Sequence, residues 1–242
     1  MVPFAHLHLH SEYSLLDGAC RIADIPKAAK ASGHTAVAIT DHGNLYGAVA
    51  FFKACRAEGI KPIIGCEVYV APRTRFDKEG KRDASGNHLI LLCKNQTGYE
   101  NLIYMVSKSF TEGFYQKPRI DLDLLRTHAD GLIALSACLA GYIPRAIVRG
   151  DFAGARQYAR TLADIFGAGN FYLELQDHGI PEQREVNAEL IAMAKELSLP
   201  LVATNDVHYL RKLDAEHQAV MMCIQTNTMI SDGRPAAFAT DE

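Results

Sequence analysis

Residues 4–18 read FAHLHLHSEYSLLDG, an apolar run with a histidine at every second position, followed by a polar turn ending in glycine. Side chains alternate across a strand, so His6, His8 and His10 are expected on one face, opposite Ala5, Leu7 and Leu9. A strand covered by helices on both sides should instead be apolar on both faces. A single inward histidine is usually a satisfied core residue. Same-face imidazoles one strand repeat apart also suit two ligands on one metal ion or on neighbouring ions.

Further apolar runs rich in β-branched residues follow: TAVAIT (35–40), PIIGCEVYV (62–70), HLILLC (88–93), GLIALS (131–136), NFYLEL (170–175) and PLVATN (200–205). Most are separated by stretches with helical spacing. These run through Ile22, Ile25, Ala28 and Ala29; Leu45, Val49, Phe52 and Lys53; Tyr99, Leu102, Ile103, Val106 and Phe110; Phe152, Ala155, Ala159 and Leu162; and Val186, Leu190, Met193 and Ala194. Thr97 with Glu100 suits a capping box, Asp151 an N-cap, Pro181 a first helical turn and Gly167 a stop. Seven buried strands alternating with helices predict an α/β fold, either a barrel or a doubly wound sheet. Polar residues recur at or just past the strand ends, and a barrel gathers such ends into one mouth, so a barrel is expected.

The chain has 242 residues, 48% hydrophobic and 22% charged, which suits one barrel domain. Its net charge of -3 argues against a whole-surface electrostatic grip on duplex DNA, leaving local contacts or contacts from another domain. Six scattered cysteines without a C-x-x-C pair read as free thiols in a reducing compartment. No apolar run approaches the ~20 residues of a membrane span, and the first strand starts too early for a signal peptide, so a cytoplasmic location without membrane partners is expected. Residues 1–225 are expected to form the domain, with the polar stretch 226–242 as its end or the start of a connection. The charged segment Ala71–Asn87 reads either as a basic DNA-contacting loop, through Arg73, Arg75, Lys78, Lys81 and Arg82, or as a solvated connection whose acids Asp77, Glu79 and Asp83 nearly balance those bases.

Strand ends carry the candidate chemistry. TAVAIT leads into Asp41 and His42, PIIGC into Glu67, LIALSA into Cys138, and LVATN into the period-two pair Asp206 and His208; Asp17 lies in the first loop, and His88 opens its strand. Singly, each has a plainer reading: a helix cap for Asp17 or Asp41, a small buried hydrophobe for Cys138, an ion pair for Glu67, a surface residue for His88. Gathered at one mouth, they would be costly to desolvate without cations to neutralise the carboxylates and fix the imidazoles. The mixed nitrogen, oxygen and sulfur set points to two or three zinc, manganese or iron ions rather than calcium or magnesium, and to hydrolysis at phosphorus.

HLHLHSEYSLLDG, TDHGNLYGA, EGFYQKPRIDLDLL, GLIALSACLAG, LELQDHG and VATNDVHY together resemble the N-terminal PHP (polymerase and histidinol phosphatase) domain of bacterial DNA polymerase III alpha subunits. The resemblance implies a distorted seven-stranded (β/α)7 barrel with three metal sites. One ion would be held by His8, His10, Glu67 and Asp206, a second by Glu67, His88 and Cys138, and a third by Asp17, His42 and His208. It further implies 3′-5′ exonuclease proofreading on a single-stranded or mismatched DNA 3′ end, with Glu67 and Asp206 catalytic through the ions they hold. His178 is a candidate contact to the scissile phosphate or else a supporting histidine. His6, deeper on the histidine face, is expected to fill the core or hydrogen-bond behind the ligands. Implied partners are the remaining polymerase domains, which would carry nucleotide addition beyond Glu242, and holoenzyme subunits including the sliding clamp and a separate proofreading subunit. A phosphoesterase for small monoesters and a non-catalytic scaffold are the alternative readings. Because His88 starts its strand, it reaches the mouth only if HLILLC runs antiparallel to the strand before it.

Overall fold

The computed structural model describes residues 4–15 and 17–232, so Leu16 of the LLDG motif and residues 233–242 of the terminal stretch lie outside the described residues. The β-branched runs form β1 (Ala36–Ile39), β2 (Lys61–Val70), β3 (Asn87–Cys93), β5 (Leu132–Leu135), β6 (Phe171–Leu175) and β7 (Leu201–Ala203), joined by the short β4 (Arg119–Ile120). They make a curled sheet in the order β1-β2-β3-β5-β6-β7, with β4 beside β2. The helices are α1 (Ile25–Ala31), α2 (Ala48–Glu58), α3 (Gly80–Ala84), α4 (Gln96–Thr111), α5 (Leu122–His128), α6 (Tyr142–Val148), α7 (Phe152–Phe166), α8 (Pro181–Leu197) and α9 (Ala215–Thr226). The result is a distorted β/α barrel. Its inside is filled by Ala38, Ile90, Leu92 and Leu135, while Leu102, Leu125, Phe171 and Leu190 pack in the core between sheet and helices.

β3 runs antiparallel to both β2 and β5, while β1–β2, β5–β6 and β6–β7 are parallel. The reversal puts His88, at the start of β3, at the same end as Glu67 in β2, as expected from the sequence. The chain between β2 and β3 is tied down by charges of its own and of the segment around β4. Arg73 bonds Asp83 and Glu79, Arg75 bonds Asp121 and Glu112, and the fully buried Arg119 donates to the carbonyls of Gly113, Asp83, Arg75 and Asp77. Two of the five bases expected in a DNA-contacting loop are thus engaged by acids of the domain itself.

The opening FAHLHLH forms no regular strand. It lies extended between the two edges of the sheet, accepting from Ala38 N and Thr40 N through the His6 and Leu9 carbonyls, while His8 and His10 exchange bonds with Val207 just past β7. The three-residue step from His6 to Leu9 on this segment faces a two-residue step from Ala38 to Thr40 on β1 and just past it, which is the count of a β-bulge. The extra residue breaks the alternation. Leu7 packs against the barrel interior, and Leu9 packs outward with Ile25 and Phe51. His6 is therefore not on the face of His8 and His10. It leaves the barrel and packs against Phe4 and His34, with ring centroids 5.0 and 5.3 Å away, beside a cavity of about 210 Å³ under α1.

Two local expectations also change. Asn95, whose side chain accepts from Gly98 N, caps α4 in place of Thr97, whereas Asp151 caps α7 by accepting from Gly154 N, and Pro181 and Gly167 sit where expected. α2 buries Ala48, Phe51 and Cys55 and leaves Val49 and Phe52 exposed, one residue out of phase with the expected stripe.

Candidate metal centre

Because His8 and His10 follow the bulge, both point into the mouth, where each is completely buried. Their Nε2 atoms lie 3.1 Å apart. Asp206 Oδ1 sits 3.0 and 3.1 Å from those two nitrogens, and Glu67 Oε2 is 3.0 Å from that of His8. Asp206 adopts a left-handed φ of +46°, uncommon for a residue with a side chain, in the turn after β7. The other Glu67 oxygen, Oε1, lies 2.6 Å from His42 Nδ1 and 2.8 Å from His88 Nδ1. Cys138 Sγ is 3.7 Å from His88 Nδ1, and Asp17 Oδ2 is 3.0 Å from His42 Nε2. His208 stacks on His10 at 4.3 Å and points its Nδ1 at the Asp206 carbonyl, 2.8 Å away.

All nine residues expected as ligands thus meet at one mouth. Three groups have donor atoms within 4.8 Å of one another: His8, His10, Glu67 and Asp206; Glu67, His88 and Cys138; and His10, His42 and His208. The first two coincide with the sets implied by the resemblance. In the third, His10 stands where Asp17 was expected, although Asp17 remains against His42.

The chemistry of this cluster suits cations. Asp17 Oδ1 is buried without a hydrogen-bond partner among the described residues, and Asp206 Oδ1 is buried against the ring nitrogens of His8 and His10, an arrangement that a bound divalent ion would stabilise. Burial disfavours the charge on Glu67, yet His88 and His42 hold its carboxyl well below the ordinary range. Asp206 is held down in the same way by His8 and His208. Burial, with His42 and His208 adding repulsion, pushes His10 down to about 3, leaving a neutral ring able to donate a lone pair. His42 moves oppositely, to about 10, because Glu67 and Asp17 outweigh its burial. Burial, reinforced by Asp206 and Glu67, lifts the Cys138 thiol well above its usual value, so its thiolate needs a cation beside it. The mixed N, O and S donors fit transition-type ions.

Residues behind the cluster were less evident from sequence. Asp41, two residues past β1, accepts from Ser11 and Ser14, and Ser14 Oγ lies 3.0 Å from His10 Nδ1. Glu174 in β6 lies 2.7 Å from His8 Nδ1, and the sequence alone assigns it no role, because a single acid in an apolar run reads as solvent-facing. Its place in an otherwise apolar run, where a strand covered on both faces leaves little room for an acid, is the signal that could have found it. His178 has both ring nitrogens engaged, Nδ1 by Gln183 Nε2 at 2.9 Å and Nε2 by the Asn205 carbonyl at 2.7 Å. It tethers the turn that carries Asp206.

Residues 6–178 match the family model described as the PHP domain. The chain is similar to the DNA polymerase III alpha subunits of Treponema pallidum and Thermus aquaticus, 49% and 47% identical over 99% of its length. It spans about one fifth of the length of these relatives, 20% in each case. Among solved structures, an amidohydrolase from Chromobacterium violaceum aligns with TM-score 0.52 at 15% identity over 84% of this chain and 87% of its own. A two-domain protein from Bacteroides vulgatus, described as containing a predicted PHP-like metal-dependent phosphoesterase, aligns with TM-score 0.52 at 15% identity over 96% of this chain and 55% of its own. At such identity these two support the fold alone.

Proposed function

The chain belongs to the PHP domain family, and on that premise we propose that its barrel mouth is a metal-dependent 3′-5′ exonuclease site serving proofreading within a longer replicative DNA polymerase. The supporting observation is the convergence of nine ligand-type residues, His8, His10, Asp17, His42, Glu67, His88, Cys138, Asp206 and His208, with a buried Asp17 oxygen that lacks a partner among the described residues. These residues would hold two to three zinc, manganese or iron ions. Bound there, such ions supply Lewis acidity toward a phosphate oxygen and activate water at neutral pH.

The protein's own contribution is orientation. Glu67 faces four imidazoles and bridges the subsites, Asp206 draws His8 and His10 together, and His178 steadies the Asp206 turn through Asn205. On this reading residues 1–225 are the nuclease domain, and 226–242 are its end or the start of a connection. The substrate is the single-stranded or mismatched 3′ end of DNA, the partners are the remaining polymerase domains, the sliding clamp and other holoenzyme subunits, and the setting is the cytoplasm.

The test is digestion of a 5′-labelled, 3′-mismatched primer by metal-loaded protein beside turnover of histidinol phosphate. Shortening of the primer, and loss of both metal and nuclease activity in Asp206→Asn, is the expected result. Unchanged metal-dependent nuclease activity in Asp206→Asn overturns the assignment, and faster turnover of the monoester replaces it with a small-molecule phosphoesterase.

A further inference from the structure

We propose that Glu174 is a positioning residue shared by two ion subsites, one oxygen orienting His8 and the other fixing the turn that presents Cys138. The inference rests on the reading of the mouth as a metal centre and adds to it a residue outside the nine ligand candidates.

Glu174 is buried to 2% exposure in β6. Its Oε1 accepts from Gln176 Nε2 at 3.0 Å and from Thr204 Oγ1, and lies 2.7 Å from His8 Nδ1. A carboxylate oxygen only accepts, so at this distance His8 Nδ1 carries the proton and donates it to Glu174. Nε2 is then the nitrogen that faces Glu67 and Asp206, each 3.0 Å away. A carboxylate behind a ligating imidazole fixes the tautomer and the ring plane and strengthens the ligand.

The second oxygen acts on a different subsite. Oε2 accepts from Ala137 N at 3.0 Å. Ala137 holds a left-handed φ of +66°, unfavourable for alanine, and Cys138 is the next residue. The Glu174 backbone N–H donates to Ser136 Oγ at 2.8 Å, a second tie to the same turn. One side chain therefore links the ligand turn after β5 to the histidine segment that closes the barrel.

Glutamine is the informative replacement, because an amide has one acceptor atom where the carboxylate has two. If its nitrogen faces Ala137, two N–H groups oppose each other and the Cys138 turn shifts. If it faces His8, the imidazole must carry its proton on Nε2, inside the ion subsite.

The experiment titrates the metal-free full chain, wild type and Glu174→Gln, with cobalt(II) alone. It follows bound metal per chain and the cobalt–thiolate charge-transfer absorption that reports Cys138. The expected result is at least one ion bound about 10–100-fold more weakly in Glu174→Gln, with the thiolate absorption reduced or the His8 tautomer reversed. A folded variant equal to wild type in stoichiometry, affinity, absorption and tautomer overturns the proposal. Wild-type protein that binds no cobalt instead overturns the metal-centre reading, so the two failures are distinct. Should the variant not fold, nitrogen-correlated imidazole spectra of zinc-loaded wild type decide: a proton on His8 Nδ1 is expected, and one on Nε2 refutes the role.

Discussion

Replacing Asp41 by alanine tests whether the mouth histidines stand on a buried polar support. Asp41 is 1% exposed; Oδ1 accepts from Ser11 N at 2.6 Å and Ser14 Oγ at 2.9 Å, and Oδ2 accepts from Ser11 Oγ at 2.7 Å. Hydrogen bonds to a charged group contribute about 1.5–3 kcal/mol each, so the gross loss is roughly 5–9 kcal/mol. Two effects offset part of this. Burial lifts the Asp41 carboxyl above its ordinary value despite these bonds, so part of their energy goes to keeping the charge inside. The two hydroxyls can also turn to other partners, whereas the Ser11 N–H cannot. With one stranded amide as the minimum and the offsets removed, the net loss is about 3 kcal/mol. For a domain of this length that lowers Tm by roughly 6–12 °C. Asp41→Asn should lose only about 1 kcal/mol, because Oδ1 keeps both donors and the Ser11 hydroxyl can reverse to accept from the amide nitrogen. The assay is thermal unfolding followed by circular dichroism in the presence of a chelator, so that lost metal cannot mimic the effect. An alanine variant within about 2 °C of wild type, or an asparagine variant as damaged as alanine, refutes the reasoning.

Gly98→Ala should cost about 3 kcal/mol or more, because the added Cβ would lie 1.9 Å from the Gly131 carbonyl, where backbone meets backbone and no side chain can swing away. Gly59→Ala, with open space around its Cβ but a φ of +72°, should cost only roughly 1–2 kcal/mol; denaturant midpoints compare the two. Ion uptake at the His42 subsite must displace a proton, since His42 is raised to about 10, so affinity there should rise up to tenfold per pH unit below that value. Calorimetry in buffers of different ionisation heat measures the released proton, and uptake without one contradicts the arrangement. In the metal-free protein the same raised value stabilises the fold below pH 6.5, and that contribution fades as pH climbs to about 10. His10, lowered to about 3, acts in the other direction: as pH falls from 6.5 toward 3 the unfolded chain takes up a proton that the folded one refuses. Chelated protein should therefore unfold most readily at the two ends of this range, and a Tm that is flat across it counts against both assignments.

What could be read from the sequence and what could not divide along physical lines. Six of the seven strand runs are legible because a strand covered on both faces leaves little room for polar residues, and the candidate ligands stand out as the exceptions at strand ends. β4 escapes notice because two residues carry no period. The phase of α2 is misread because Val49 and Phe52 are the larger apolar residues, whereas packing close to the sheet selects Ala48 and Cys55 beside Phe51. Glu174 is invisible to a rule that treats an isolated acid as solvent-facing, since what makes it inward is a histidine 166 positions earlier.

The bulge is the most consequential of these. FAHLHLH has perfect period two, and that pattern alone puts three histidines on one face. The departure depends on Thr40, a residue of the neighbouring strand, whose hydroxyl accepts from Leu9 N where a backbone carbonyl would stand in a regular ladder. With Leu9 held there, one extra residue must fit between the His6 and Leu9 carbonyls, and the chain turns His6 outward while keeping His8 and His10 in the mouth. Without the extra residue, His8 in the mouth would mean His6 on the barrel's inner face, where Leu7 now packs among Ala38, Ile90 and Leu135. An imidazole buried in that apolar layer would lack partners and cost stability. The bulge thus reconciles a histidine pair at the mouth with an apolar barrel interior.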